Sequence, residues 1–166
     1  MRELFCREAR RLAVARECLV HGDFSPKNFL ICGERMVLLD GEAAWYGDPS
    51  FDVAFLLNHL FLKALYHTLR SLGTEQMIAA FWKSYLECRQ TKLQNDLEER
   101  AARLLLMLML ARVDGKSPVE YLGAPQTRLV REFVRRQLTA RCFELAALAS
   151  VWFEQTITLP PISQRV

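Results

Sequence analysis

The spacing of apolar residues predicts helices over most of the 166 residues. In residues 2–17 apolar side chains recur at helical intervals among charged ones, which indicates a short amphipathic helix. Residues 51–69 are apolar around more than one face and predict a largely buried helix that ends at Gly73. After this glycine, Thr74 is expected to cap a helix with one apolar stripe, formed by Ile78, Phe81, Trp82 and Tyr85.

Three further helices are predicted in the second half of the chain. Residues 93–113 form the first, which Asp114-Gly115 should end. Residues 117–123 begin with a serine cap followed by proline and have glutamate three positions after the cap, a pattern typical of a short capped helix. A last helix is expected over residues 127–153, before Pro160-Pro161 prevents any continuation.

The strand pattern is confined to one place. Phe29–Cys32 and residues 36–39 are short apolar segments on either side of a turn that contains Gly33, which predicts a small β-hairpin and the only strands. No repeat, low-complexity tract or linker interrupts the chain. We therefore expect one domain over residues 1–166, mainly α, in which a helical bundle carries the small hairpin.

Composition and charge exclude several classes of protein. Lys and Arg number 22 against 19 Asp and Glu, and a dispersed net charge of +3 argues against nucleic acid or an anionic membrane surface as partner. The apolar run 104–111 is bounded by Arg103 and Arg112 and is too short to span a membrane. Five cysteines without a CxxC pair indicate neither a disulfide framework nor a zinc site. Because the first residues also lack a secretory signal pattern, a cytoplasmic location is expected.

Polar residues crowd at the two outer ends of the predicted hairpin. The segment HGDFSPKN precedes it, and the segment DGE follows it. Since a hairpin brings its outer ends together, Asn28 and Asp40 should be neighbours, and the loop that Pro26 stiffens can turn Asp23 towards them. Carboxylate and amide oxygens suit Mg²⁺, and an aspartate beside the metal can accept a hydroxyl proton during phosphoryl transfer.

These segments carry a family resemblance. HGDFSPKN followed by LLDGEAAWYGDPSFD resembles the HGDxxxxN and DxE/GDPxxD motifs of the aminoglycoside phosphotransferase and choline kinase family, over about residues 20–62. The resemblance implies a kinase-like C-terminal lobe. It also implies transfer of a phosphoryl group from ATP, with Mg²⁺, to the hydroxyl of a small-molecule alcohol or amino sugar.

Carried over residue by residue, the resemblance implies that Asp23 is the catalytic base. The metal ligands would be Asn28 and Asp40, with Glu42 assisting the metal or orienting the site. Structural support of the site would come from His21, Asp48 and Asp52. Of these, Asp52 would hold the catalytic loop by accepting its backbone N–H groups, and as an acidic residue at a helix start it also suits the helix dipole.

Three other residues have two interpretations each. Lys27 either contacts a phosphate or is an ordinary exposed loop lysine. Trp45 either forms a wall of the substrate site or packs beneath it. Asn58, in an apolar stretch beside His59, either lines the substrate cleft or is a core polar group with its hydrogen bonds satisfied.

A kinase-like enzyme also needs a Gly-rich loop and a strand lysine for the nucleotide, both in an N-terminal lobe. Only 20 residues precede His21, and none of the seven glycines forms a GxGxxG run. The chain is therefore expected to be a C-terminal lobe that needs a separate ATP-binding N-lobe for activity. The alternatives are a non-catalytic remnant or binding module, or a fragment like methylthioribose kinases, towards which the DGE segment leans.

Overall fold

The computed structural model describes residues 2–66, 71–88 and 96–157. Within them the protein is mainly helical, as the apolar spacing predicts, with two small antiparallel strand pairs. The helices and strands follow in the order α1 Arg2–Val14, β1 Cys18–Val20, β2 Phe29–Cys32, β3 Arg35–Leu38, β4 Trp45–Gly47, α2 Ser50–Tyr66, α3 Ser71–Cys88, α4 Leu97–Asp114, α5 Ala124–Ala140 and α6 Leu145–Thr156.

The hydrophobic core lies between α2 and α4, with α5 and α6 packed against them. Trp152 of α6 is fully buried at its centre, where its ring lies 4.7 Å from that of Phe133 and 6.0 Å from that of Phe61. Its indole N–H donates a 2.9 Å hydrogen bond to the carbonyl of Phe61, so the one polar atom of this large side chain is satisfied. The core therefore fixes α2, and Asp52 in the first turn of α2 binds the loop that leads to Asp23.

The predicted hairpin is present, and its side chains are unusually exposed. β2 pairs with β3 so that Ile31 faces Met36, and these two apolar residues are 72% and 68% exposed. A second pair of strands was not predicted: β1 and β4 join across the sequence, with Leu19 opposite Tyr46. Three residues per strand are too few to show an alternating pattern, which is why this pair escapes sequence analysis.

Two of the predicted helix boundaries are wrong. Gly73 lies inside the first turn of α3, which begins at Ser71, so Gly73 ends no helix and Thr74 is not a cap. Glycine disfavours a helix through its backbone freedom, mainly in the helix interior, and Gly73 is only the third residue of α3. The predicted ends at residues 69 and 93, and Pro160-Pro161, lie outside the described residues.

The short helix predicted over residues 117–123 does not form; the segment contains bends and a turn. Arg112 at the end of α4 explains the difference, because its guanidinium donates to the carbonyl of Ser117 and its own carbonyl accepts the N–H of Val119. The carbonyl of Ser117 and the N–H of Val119 are thus bound to the end of α4 and not to a helix of their own.

The single helix predicted over residues 127–153 is in fact two helices. Arg141 adopts a left-handed conformation with φ 53° and ends α5, and Leu145 begins α6 with its N–H bound to the carboxylate of Glu98. One left-handed residue leaves no mark on hydrophobic periodicity, so the break could not be read from the pattern.

Helix α1 is held by ion pairs as well as by its apolar side. Leu12 packs against the core, as the pattern predicts, and the buried residue of the helix is Glu8. The Glu8 carboxylate accepts hydrogen bonds from Arg11 at 2.7 Å and from Arg103 of α4 at 2.6 Å. Arg11 in turn pairs with Asp48, which precedes α2.

Asp48 is the centre of this network and is completely buried. Besides Arg11, its carboxylate faces the guanidinium of Arg100 at 2.9 Å and accepts the N–H of Ser50 at 2.8 Å. Arg100 is bound in addition by Glu17 at 2.6 Å. The network therefore joins α1, α4 and the start of α2, and it determines where α2 begins.

None of the helices among the described residues combines the length and the apolarity that a membrane span requires.

Replacing Asp48 should destabilise the fold strongly. In Asp48→Asn two buried guanidinium groups lose a shared carboxylate, which in buried pairs costs about 3 kcal/mol of unfolding free energy. The matched control is Asp114→Asn, because Asp114 pairs with Arg131 at the exposed surface. Urea unfolding would measure both variants, and equal midpoints for the two would contradict the proposed role of Asp48.

Stability should also fall in acid. Burial raises the pKa of Asp48, but hydrogen bonds from Ser50 and Arg11 outweigh it, so its pKa lies below the ordinary value of 3.8. The pKa of Glu8 is likewise lowered from 4.5, by Arg11 and Arg103 against burial. Because both carboxylates have a lower pKa when folded, their contribution is present above about pH 4.5 and is lost as the pH falls through the folded values. Urea midpoints should be flat from pH 7 to pH 5 and drop below that, less steeply in Asp48→Asn.

Candidate functional site

The loop that carries Asp23 is fixed by Asp52 in the first turn of α2. The two carboxylate oxygens of Asp52 accept the backbone N–H of His21 at 2.7 Å and the N–H of Gly22 at 3.0 Å. A carboxylate that binds two consecutive N–H groups leaves the loop little rotational freedom. The position of α2 thus determines the position of the segment HGD.

Gly22 must be glycine for two reasons. Its φ of +84° lies in the left-handed region, and a Cβ there would collide with the carbonyl of Ala43 and the ring of Trp45. The loop can therefore lie directly against the turn that follows Asp40. Trp45 is half-buried under the loop, with its ring 4.9 Å from that of Phe51, so the structure places it in packing.

His21 connects the loop to the end of the hairpin. Its Nε2 lies 2.9 Å from the carbonyl of Leu39, and its Nδ1 accepts the N–H of Asp23 at 3.2 Å. A carbonyl can only accept, so Nε2 carries the hydrogen and the imidazole is the neutral Nε2–H tautomer. His21 is thus occupied in positioning Asp23 against the residue before Asp40.

The Asp23 carboxylate is about a quarter exposed and has two close partners. Its Oδ2 lies 2.8 Å from the ammonium of Lys27 and accepts a hydrogen bond from the amide of Asn28 at 3.1 Å. Burial raises the pKa of Asp23, but the hydrogen bonds from Lys27 and Asn28 outweigh this effect. The pKa of Asp23 therefore lies below its ordinary value of 3.8. Asp23 is therefore ionised at neutral pH, and neither contact uses its Oδ1.

The two ends of the hairpin meet, as the sequence predicts. The N–H of Leu39 donates to the carbonyl of Asn28 at 2.8 Å, one step beyond the last strand pair, so Asn28 and Asp40 flank the same point. Asp40 has a left-handed backbone with φ 66°. The hydrogen bond with Asp23 raises the pKa of Lys27 most, and the charges of Asp23 and Asp40 raise it too. Lys27 thus pairs with Asp23 and lies within the electrostatic reach of Asp40.

The residues expected to hold Mg²⁺ occupy this end of the hairpin. Asn28 is buried and uses its amide nitrogen for Asp23, so neither of these bonds engages its oxygen. Asp40 and Glu42 are exposed on the following turn. Among the described residues no three His, Cys, Asp or Glu side chains form a metal-binding group. An amide oxygen and a carboxylate are nonetheless donors that suit Mg²⁺, which commonly takes one or two carboxylates together with phosphates and water.

The remaining expected residue, Asn58, is not on an accessible wall. It is 1% exposed in the interior of α2, and its Oδ1 has no hydrogen-bond partner among the described residues. Its neighbour His59 is half-buried on another face of the helix, with its ring 5.2 Å from that of Phe55. The accessible position of this pair is therefore His59.

Sequence analysis missed the basic groups near this histidine. Burial lowers the pKa of His59; Arg112, Lys27 and Lys63 lower it too, whereas Asp23 raises it. Arg112 and Lys63 belong to α4 and α2, and nothing in their local sequence distinguishes them from ordinary surface cations. Only the packing of α2 against α4 brings the charges of both helices near His59.

The comparison with known families agrees with this geometry. Residues 2–72 match the APH model of the phosphotransferase enzyme family. The resemblance to the phosphotransferase family is thereby confirmed over a segment that contains the Asp23 loop, the hairpin, Asp48 and Asp52. No curated protein matches the chain at a significant level.

The phosphotransferase match ends soon after α2, so α4, α5 and α6 lie beyond it. Arg100 and Arg103, which bind the carboxylates of the matched segment, are therefore outside the match. The phosphotransferase-like segment is completed structurally by a part of the chain that the family pattern does not describe.

Weakening the Asp52 clamp should loosen the loop that carries Asp23. Asp52→Asn leaves only one acceptor oxygen for the N–H groups of His21 and Gly22, and a lost hydrogen bond to a charged group costs about 1.5–3 kcal/mol. Amide hydrogen exchange, followed by NMR, should become at least about tenfold faster at His21 or Gly22. Glu87→Gln, at an exposed pair on α3, is the control. Unchanged protection at both amides would show that Asp52 does not hold the loop.

Proposed function

We propose that this chain is the acceptor-binding, kinase-like C-terminal lobe of a small-molecule phosphotransferase. The observation that carries the proposal is the placement of an ionised Asp23 carboxylate at the end of the hairpin, beside Asn28 and next to the turn that bears Asp40. The family match over residues 2–72 supports the same reading. The reaction would transfer a phosphoryl group from ATP to a hydroxyl group.

Asp23 would orient the acceptor hydroxyl and receive its proton. Its Oδ2 is held by Lys27 and Asn28, so Oδ1 is the oxygen left to accept a hydrogen bond from the incoming hydroxyl. The lowered pKa makes Asp23 a weak base, which suits phosphoryl transfer because the proton moves late along a loose transition state. His21 would keep the backbone of Asp23 in position throughout.

Mg²⁺ would be held by Asn28 and Asp40, with Glu42 as an assisting carboxylate. When bound, the ion would neutralise charge on the phosphates of ATP. The left-handed backbone of Asp40 lets the chain reverse directly after β3 and keeps this carboxylate beside the hairpin end. Lys27 would supply positive charge near the same point through its ammonium group.

Nucleotide binding would require an N-terminal lobe, because the 166 residues contain no Gly-rich phosphate loop. ATP as donor and a cytoplasmic location belong to the same proposal. A binding module without catalysis is the second candidate. The lack of a Gly-rich run among the seven glycines is the observation that favours it.

One measurement on the 166-residue chain alone bears on the second candidate. A clear thermal shift of the 166-residue chain on addition of Mg-ATP, reduced in Asp40→Asn, would remove the non-catalytic candidate. For the catalytic candidate, the chain is joined behind the N-terminal lobe of a family member and assayed with small alcohols and amino sugars.

In the completed enzyme, Asp23→Asn should lower kcat by about 10²–10⁴-fold, the usual contribution of a positioned base. The substitution keeps the size of the side chain and removes its charge. Asp114→Asn, at a distant exposed pair, is the control and should retain full activity. Full turnover in Asp23→Asn, or no turnover on any acceptor in the unsubstituted enzyme, would refute the proposed function.

A further inference from the structure

One face of α2 leads from the Asp23 loop to the end of α4. Residues spaced by four lie on it, beginning with Phe51 and Phe55 and continuing to His59 and Lys63. The rings are in contact, since Phe51 and Phe55 have centroids 5.7 Å apart and Phe55 and His59 have centroids 5.2 Å apart. These rings are half-buried, so they form an accessible and largely apolar floor.

The far end of this floor is basic. Lys63 is exposed, and its Nζ lies 6.0 Å from the centre of the Tyr121 ring. Arg112, in the last turn of α4, donates to the carbonyl of Ser117 at 2.7 Å and to its hydroxyl at 3.3 Å. These bonds hold the guanidinium in one place, and its Nε is buried without a partner among the described residues. The cation is therefore positioned in advance and is not neutralised by the bonds it makes.

The floor joins these cations to the Asp23 loop. At its near end Phe51 lies 4.9 Å from the ring of Trp45, which lies against Gly22, and at its far end Lys63 follows His59 by about one helical turn. Burial lowers the pKa of His59, and the charges of Arg112 and Lys63 lower it too, whereas the charge of Asp23 raises it. His59 is therefore neutral at pH 7 and adds no charge to the floor.

We propose that the acceptor carries an anionic group, a carboxylate or phosphate, which Arg112 and Lys63 bind while its hydroxyl group lies at Asp23. This inference rests on the proposed function and narrows its substrate class. Guanidinium and ammonium groups that are fixed beside a half-buried floor recognise anionic oxygens. An amino sugar or a quaternary ammonium alcohol would meet like charge from Arg112 and Lys63 and would be disfavoured.

Binding of three small hydroxyl compounds to the 166-residue chain tests the inference without nucleotide. Glycerate carries a carboxylate, glycerol is neutral and choline is cationic. Glycerate should bind most tightly, shift the NMR signals of the His59 ring and lose affinity as salt is added. Tighter binding of choline or glycerol would overturn the anionic acceptor.

Two variants locate the site. Lys63→Gln and Arg112→Gln should each weaken glycerate binding by about tenfold, whereas Lys83→Gln on the exposed face of α3 should leave it unchanged. Lys63 is exposed, so its variant keeps the test valid if Arg112→Gln disturbs the contact with Ser117. Equal affinity in Lys63→Gln and Lys83→Gln would refute the assignment.

Assays of the completed enzyme, in which the chain is joined behind the N-terminal lobe of a family member, distinguish this inference from the proposed function. Transfer to choline or an amino sugar in preference to glycerate would refute the anionic acceptor while phosphoryl transfer stands. Glycerate binding that depends on Lys63 and Arg112, without transfer to any acceptor, would support the anion site and refute the phosphotransferase. Preferred transfer to glycerate, reduced in Lys63→Gln, would support both.

Discussion

The buried carboxylate of Asp48 is the interaction on which the arrangement of this protein depends. Two guanidinium groups from different helices, Arg11 of α1 and Arg100 of α4, meet on it, and it also accepts an N–H at the start of α2. A buried charge is tolerated only with such complete pairing. Helix α1 is consequently held in one fixed relation to α4 and to the start of α2.

Asp48, just before α2, and Asp52, in its first turn, are four residues apart and have different roles. Asp48 faces inward to the arginines, whereas Asp52 faces the loop and binds the N–H groups of His21 and Gly22. The geometry of the loop therefore depends on the charge network through the first turn of α2. This explains how a half-buried loop can hold Asp23 in a defined orientation although the hairpin beside it packs against little else.

Local features of the sequence predicted local features of the structure well. The hairpin, the approach of Asn28 to Asp40 and the helical character of the chain follow from short-range rules of spacing and turn chemistry. Features that depend on distant partners did not follow. Three of them require knowing which helices pack together: the burial of Glu8, the break at Arg141 and the effect of Arg112 on the pKa of His59. The spacing of apolar residues shows whether a helix face is apolar. It does not show that a charged residue such as Glu8 is buried through ion pairs.

The exposed hairpin has a consequence for the protein in solution. A ladder of two strands leaves both outer edges with unpaired backbone groups, and Ile31, Met36 and Leu30 expose apolar side chains beside them. Open edges with apolar faces recruit further strands, so this element governs the tendency of the chain to self-associate. Glu34 in the turn and Arg35 at the start of β3 are the charges beside this edge that oppose such stacking. The edge that favours association thus belongs to the same hairpin whose end carries Asn28 and Leu39 side by side, and a solubilising change there would act on both.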